Sequence, residues 1–405
     1  MENPIQEQPT VPSRISVWAY PWDLADEGVE TSLDWLRNHH FDAIELCSNY
    51  HAISTFSPRN THRSQVYSEQ GGVYFPANNA RYGRIKPFLH DDDKVLDVYR
   101  QVSEAVKPRE MQLNAWVIGM FQPWIARNYP DTASTNAFGH RSFATTCPAH
   151  PDIHENLPAL LLDLCSQFNI SGLILERVGY PEFTYGWVRP RILIRMDPWT
   201  RFLAGLCFNE HSMSAARAHG VDPEAVQARV ADEIRENLAS PTNSEEDVAD
   251  LPTIVEERCV IDEDLRGYLE SREHSASGLV KAVRHALRRS NVRVGVSGAS
   301  LGWPSDGLRL RDLLPSLGSL MIPDPTDDPI TAKAQIEVVR QANQNIEITV
   351  NQTAHYQVDP HGAGFETRAR RLAEIEPDRV MVYNFGLVTP ATLAHTGAVL
   401  HNHLE

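Results

Sequence analysis

Eight short apolar runs, each followed by a stretch that can form a helix or a loop and helix, recur along this chain of 405 residues. They are Arg14 to Tyr20, Phe41 to Leu46, Met111 to Ile118, Gly172 to Glu176, Val292 to Ser297, Ser319 to Ile322, Ile346 to Asn351 and Arg379 to Asn384. Runs of this length read as buried strands. Between them apolar residues return at helical spacing, as at Val29, Leu33 and Leu36 in a helix predicted over Asp26 to His39. Leu157, Leu160, Leu161 and Leu164 do the same within Ile153 to Phe168. Alternation of this kind specifies parallel pairing, and eight strands close the sheet. The expected fold is therefore α/β, a (β/α)8 TIM barrel. A doubly wound open sheet is the alternative, but no Gly-rich phosphate loop follows the first strand.

The expected organisation is a polar tail over residues 1–13 and a single barrel over residues 14–405. Long loops follow strands two, three and four. A helical insertion at about residues 197–262 separates strands four and five, with helices predicted over Trp199 to His219 and Pro223 to Leu238 and an acidic break at Ser240 to Asp250. A long helix then runs over Asp262 to Arg289, and Asp91-Asp92-Asp93 reads as a charge cluster at the start of the helix over Asp92 to Val106. A formal charge of −16, from 53 acidic and 37 basic residues, repels polyanions and argues against a nucleic-acid partner. The five cysteines are odd in number and lack paired spacing, which predicts reduced thiols in a cytoplasmic protein rather than a disulfide framework or a zinc knuckle. Residues 1–13 hold no basic residue and no apolar core, so neither export nor a membrane location is expected.

In a barrel the chemistry lies at the carboxyl ends of the strands. Strand four ends in Glu176, an ionisable group at the rim of a core that must be paired or hydrogen-bonded, and function is one way to account for its cost. Glu45 on strand two and Asp324 after strand six are the other expected strand-end carboxylates. Trp18, Asn114, Trp116, Asn351 and Tyr383 complete the strand ends. About half of the aromatic residues fall in the loops after strands two, three and four, among them Tyr50, Trp124, Tyr180 and Tyr185. Interleaved with Arg59, Arg63, Arg189 and Arg191, they suit a polyhydroxylated ligand, because ring faces stack on C–H surfaces while hydroxyls need fixed polar partners, and His51 and His355, each a few residues after a strand, are candidates to bind a hydroxyl or share a proton. A small-molecule carbohydrate or glycoside is the expected ligand.

The stretch Gly172-Leu173-Ile174-Leu175-Glu176-Arg177-Val178-Gly179-Tyr180-Pro181 resembles the fourth-strand motif of bacterial glycosyl-hydrolase-like barrel proteins. In those proteins the acid is an Asp followed by an apolar residue and Tyr-Pro; here it is Glu176. Gly205 to Ser212 resembles a Cys-rich stretch found after that strand in some of them, of which only Cys207 is kept. The resemblance implies a (β/α)8 barrel acting on glycosides. The residues themselves lead to the expectation of carboxylate chemistry without a cofactor, with Glu176 as general acid and Glu45 or Asp324 as base or nucleophile. Retaining enzymes of the large barrel clan place Asn before the strand-four Glu and a nucleophilic Glu on strand seven. This chain has Leu175 and Asn351-Gln352 at those places.

Two other readings follow from the same residues. Phe41 to Leu46 resembles the second strand of xylose-isomerase-like barrels, which implies a sugar isomerase or epimerase holding a divalent metal on Glu45, Glu176, Asp324 and His355. The Asp-x-x-His pattern of those barrels is missing. The absent strand-seven carboxylate favours a third reading, a sugar-binding barrel without catalysis.

Overall fold

A computed structural model describes residues 14–183, 190–239, 251–297, 306–354 and 363–404. Its centre is a closed parallel barrel of eight strands: β1 (Ile15–Ala19), β2 (Ala43–Tyr50), β3 (Gln112–Ile118), β4 (Gly172–Glu176), β5 (Arg293–Ser297), β6 (Ser319–Ile322), β7 (Glu347–Thr353) and β8 (Arg379–Tyr383). Neighbours in sequence are neighbours in the sheet, and the ring closes through parallel pairing of β1 with both β2 and β8. The (β/α)8 expectation holds. Alternate residues along each strand face the helices, as Val17, Leu46, Leu173, Leu175 and Val380 do, or fill the lumen, as Trp18, Ile174, Met321 and Met381 do.

Local chemistry explains the helices. Asp92 caps Asp93–Ala105 by accepting the Lys94 N–H, and Val95, Val98, Tyr99 and Val102 form its buried face. Gly28, at φ 93°, divides the helix expected over Asp26 to His39 into Pro21–Glu27 and Val29–Asn38. The helix expected over Trp199 to His219 is likewise two, Pro198–Ala204 and Glu210–Ala218, the second capped by Asn209. Leu251–Ile261 is a helix that the sequence reading did not anticipate. With the flanking helices it packs around a second apolar cluster that includes Trp199, Phe202, Ile234, Val255 and Leu269. The acidic break at 240–250 lies outside the described residues. The loops after β2 and β3 carry antiparallel hairpins, Ile53–Phe56 with Gln65–Ser68 and Ala133–Thr135 with Arg141–Thr146.

One boundary changes the site. The second strand continues through Cys47, Ser48 and Asn49 to Tyr50, with a bulge between Cys47 and Asn49, instead of stopping at Leu46. Its carboxyl end is therefore Tyr50, and Glu45 is the third residue of eight. Glu45 meets Arg379 Nη1 at 3.1 Å and the Asn114 amide at 2.9 Å. Arg379 in turn holds Glu347 at 2.7 Å, and Arg293 lies 3.3 Å from Glu347. Arg379, Glu347 and Arg293 are the first residues of their strands, so this network closes the floor of the barrel, opposite the mouth.

Glu45 and Arg379 are almost wholly buried. Removing one partner of such a pair leaves a charge stranded, at a cost of about 3–5 kcal/mol. Arg379→Met should lower unfolding free energy by that order, read from urea denaturation; an unchanged midpoint would contradict a structural role for the floor network.

Candidate functional site

Because Ile174 faces the lumen, Glu176 two residues later does so too, at the top of β4. The Trp116 indole N–H donates to Glu176 Oε2 at 2.6 Å. Trp116 is the hub of an aromatic cup: its ring meets Trp18 and Tyr50 edge-on, each at 4.8 Å between centroids, and lies 5.9 Å from Tyr383. The Trp18 indole N–H donates to Asn351 Oδ1 at 3.1 Å, which leaves the Asn351 amide N–H groups for other partners. Three phenols meet at the same place, with Tyr20 Oη 3.3 Å from Tyr50 Oη and 2.9 Å from Tyr383 Oη.

The electrostatics of the cup are simple. Burial pushes the Tyr50 and Tyr383 hydroxyls and the Cys47 thiol up, and the nearby negative charge of Glu176 adds to the effect in all three. Burial does the same to Tyr20. These groups stay protonated at neutral pH and act as neutral donors around one carboxylate. His51 stacks on Tyr50 and packs against Phe121. Burial pulls its imidazole down to about 4, and Nδ1 donates to the Ala52 carbonyl at 2.5 Å, so Nε2 is an acceptor.

Several expected site residues lie elsewhere. Glu45 and Asn114 belong to the floor, because their strand positions are low. Asp324 folds back on Thr326 and pairs with Arg368 at 2.5 Å, on the helix Ala363–Ile375 of the outer layer. Arg59 is buried, with its guanidinium 4.0 Å from the ring centroids of both Trp35 and Phe385 and paired with Glu27 at 2.6 Å. It latches the β2 loop to the two helices after β1 and to the turn after β8 instead of facing ligand. Trp124 stacks on Phe88, and Tyr180 is buried with its hydroxyl 3.1 Å from Ser212 Oγ. Tyr185 and His355 lie outside the described residues. The three carboxylates of the isomerase reading are therefore not gathered: Glu45 stands at the opposite end from Glu176, and Asp324 is engaged by Arg368. The one grouping with metal-ligand spacing among the described residues is Asp131, His150 and Asp152, and Arg84 hydrogen-bonds both of its carboxylates.

Two buried carboxyls near the mouth have no clear sequence signal. Asp23 lies just beyond β1, accepting from Ser57 and Asn60, and burial pushes it up to about 6 against the pull of those bonds. Asp306 lies on the loop after β5, where its carbonyl accepts the Tyr180 N–H at 2.6 Å. Burial raises its carboxyl to about 6 against the Leu308 N–H. The sequence reading singled out neither residue.

No family model and no curated protein matches the chain. Solved structures do. The glycoside hydrolase domain of PgaB (BpsB) from Bordetella bronchiseptica aligns over 92% of this chain and 93% of its own at 13% identity and TM-score 0.50. The chain shares the closed-barrel fold of that structure. Alpha-L-fucosidase isoenzyme 2 from Paenibacillus thiaminolyticus aligns over 96% of this chain at 12% identity and TM-score 0.57. A GH42 beta-galactosidase from G. stearothermophilus aligns over 96% at 10% identity and TM-score 0.54. The chain spans about half the length of these last two, 49% and 57%. No helix among the described residues is long and apolar enough to cross a membrane.

Asp23 supplies a pH test. Its folded pKa lies above the unfolded value near 4, so the stability it contributes is present below pH 4 and lost as pH rises through 6. In Asp23→Asn the stability relative to the native protein should grow by on the order of 2–3 kcal/mol between pH 4 and pH 8, measured by urea unfolding. A difference that does not vary with pH would show that Asp23 titrates normally.

Proposed function

We propose that this protein is a glycoside hydrolase-like enzyme that acts on a carbohydrate or glycosylated small molecule by carboxylate acid/base chemistry centred on Glu176. The observation that carries the reading is one lumen carboxylate at the end of β4, held by the Trp116 N–H within a cup of Trp18, Tyr50 and Tyr383. Rings of this kind stack on sugar C–H faces. Asn351 and the phenols provide hydroxyl partners that remain neutral, and His51 supplies an acceptor at the rim.

Hydrolysis by two carboxyls requires a partner about 5–5.5 Å away for retention or about 6.5–9.5 Å for inversion. Glu45 is committed to the floor and Asp324 to Arg368. We infer that Asp306 takes the partner role. It follows β5, the strand next to β4, its backbone is bonded to Tyr180, and burial raises its carboxyl to about 6, which makes it a more basic carboxylate above that pH, as a base beside the Glu176 acid requires. At its mouth end β7 carries Asn351 and Gln352 in place of a carboxylate, which supports a second reading, a mouth that binds sugar without turning it over.

Aryl glycosides of both anomers, screened beside thermal-shift titrations with free sugars, separate the two. Hydrolysis supports the enzyme, and stabilisation without hydrolysis supports the binding barrel. Glu176→Gln should reduce turnover by at least about 10²-fold while leaving the thermal midpoint near that of the native protein. Asp306→Asn should do the same; unchanged turnover there removes Asp306 from the mechanism but leaves Glu176 in it.

A further inference from the structure

The stretch around Cys207 has no part in the mouth, yet it is built with care. Cys147 ends the hairpin of the β3 loop, and Cys207 follows the helix Pro198–Ala204 in the insertion after β4. They are 60 positions apart in sequence, as their numbers show, and both are buried. Ser212 Oγ lies 3.1 Å from Cys147 Sγ and 3.9 Å from Cys207 Sγ, so one hydroxyl is within reach of both sulfurs. The backbone holds both segments: Phe208 N–H donates to the Thr135 carbonyl at 2.6 Å, Cys147 N–H to the Thr132 carbonyl at 2.8 Å, and Tyr268 Oη to the Cys207 carbonyl at 2.6 Å. Asn209 Nδ2 adds bonds to the carbonyls of Asp131 and Ala133. A buried cysteine is ordinarily a small apolar filler, but these two sulfurs share the Ser212 hydroxyl in a polar nest.

We propose that Cys147 and Cys207 form a redox modification site, a thiol pair that a peroxide closes into a disulfide joining the β3 loop to the insertion after β4. Acidity supports the direction of attack. Burial raises both thiols, but hydrogen bonds from Cys147, from the backbone of Asn209 and Thr135, and from Ser212 bring Cys207 below its ordinary value, while Cys147 stays well above. Cys207 is thus the nucleophile and Cys147 the proton donor beside it. The Cys207 thiolate attacks the peroxide O–O bond, forming a sulfenic acid and releasing hydroxide, which takes up a proton to become water. Cys147 then attacks the sulfenic sulfur, forming the S–S bond and releasing a second water. Both thiols are oxidised together by two electrons, and the peroxide is reduced to two waters.

The pair adjoins the mouth through Ser212, which also holds Tyr180, four residues beyond Glu176. The site is thus placed where oxidation would fix the β4 loop against its neighbour.

The test is treatment of the full chain with hydrogen peroxide, followed by denaturation, alkylation and peptide mass mapping. The expected product is 2 Da lighter, has a cross-linked Cys147–Cys207 peptide, and still alkylates at Cys47, Cys165 and Cys259. Its thermal midpoint should rise, since a closed loop restricts the unfolded chain. In Cys147→Ser, which cannot close, Cys207 should instead take a dimedone label. Five alkylated cysteines in the native protein, a cross-link through another cysteine, or a Cys147→Ser variant without label on Cys207 would each overturn the proposal.

Discussion

The closed ring of backbone hydrogen bonds, in which β1 pairs with both β2 and β8, fixes where every functional side chain goes. With no free edge, no strand can slip, and a slip of one residue would turn each inward group outward. Glu176 faces the lumen because Ile174 does, and Asn351 because Thr349 does. The helices, loops and hairpins add walls around directions that the sheet has already set.

Within the ring, charge is sorted by height. The floor holds Glu45 and Glu347 against Arg379 and Arg293, so its formal charges cancel. Above it comes an apolar middle that includes Ile174, Cys47 and Met381, and then Glu176 among neutral phenols and indoles. A balanced floor sends little field up through the middle, so the mouth carboxylate responds mainly to its own neighbours. A charge at the floor is costly to disturb, whereas Glu176 at the mouth is only half-buried.

The eight strands and most helices were legible because they follow from periodicity, which is local. The end of β2 was not: Cys47-Ser48-Asn49-Tyr50 has no apolar alternation, and only pairing with β3 across a bulge keeps it a strand. That four-residue extension moved Glu45 from mouth to floor. Asp324 was legible as a turn residue, but its partner Arg368 lies 44 residues on, beyond any local pattern. The aromatic wealth of the loops was visible, yet which rings face the cup depends on packing; Trp116 does, while Trp124 turns to Phe88. Asp23 and Asp306 escaped notice because their character comes from burial by distant segments. The same holds for Cys147 and Cys207, whose spacing in sequence suggested no pair.

Arg59 was expected at the ligand and instead lies between Trp35 and Phe385, tied to Glu27. Because that latch is made before any ligand arrives, the β2 loop has already given up its conformational freedom in the free protein. A ligand entering the cup meets a wall that does not have to order itself, so more of the contact free energy is expressed as affinity. Loosening Arg59 would thus weaken binding from a distance, by returning entropy to the empty state and touching nothing in the bound one.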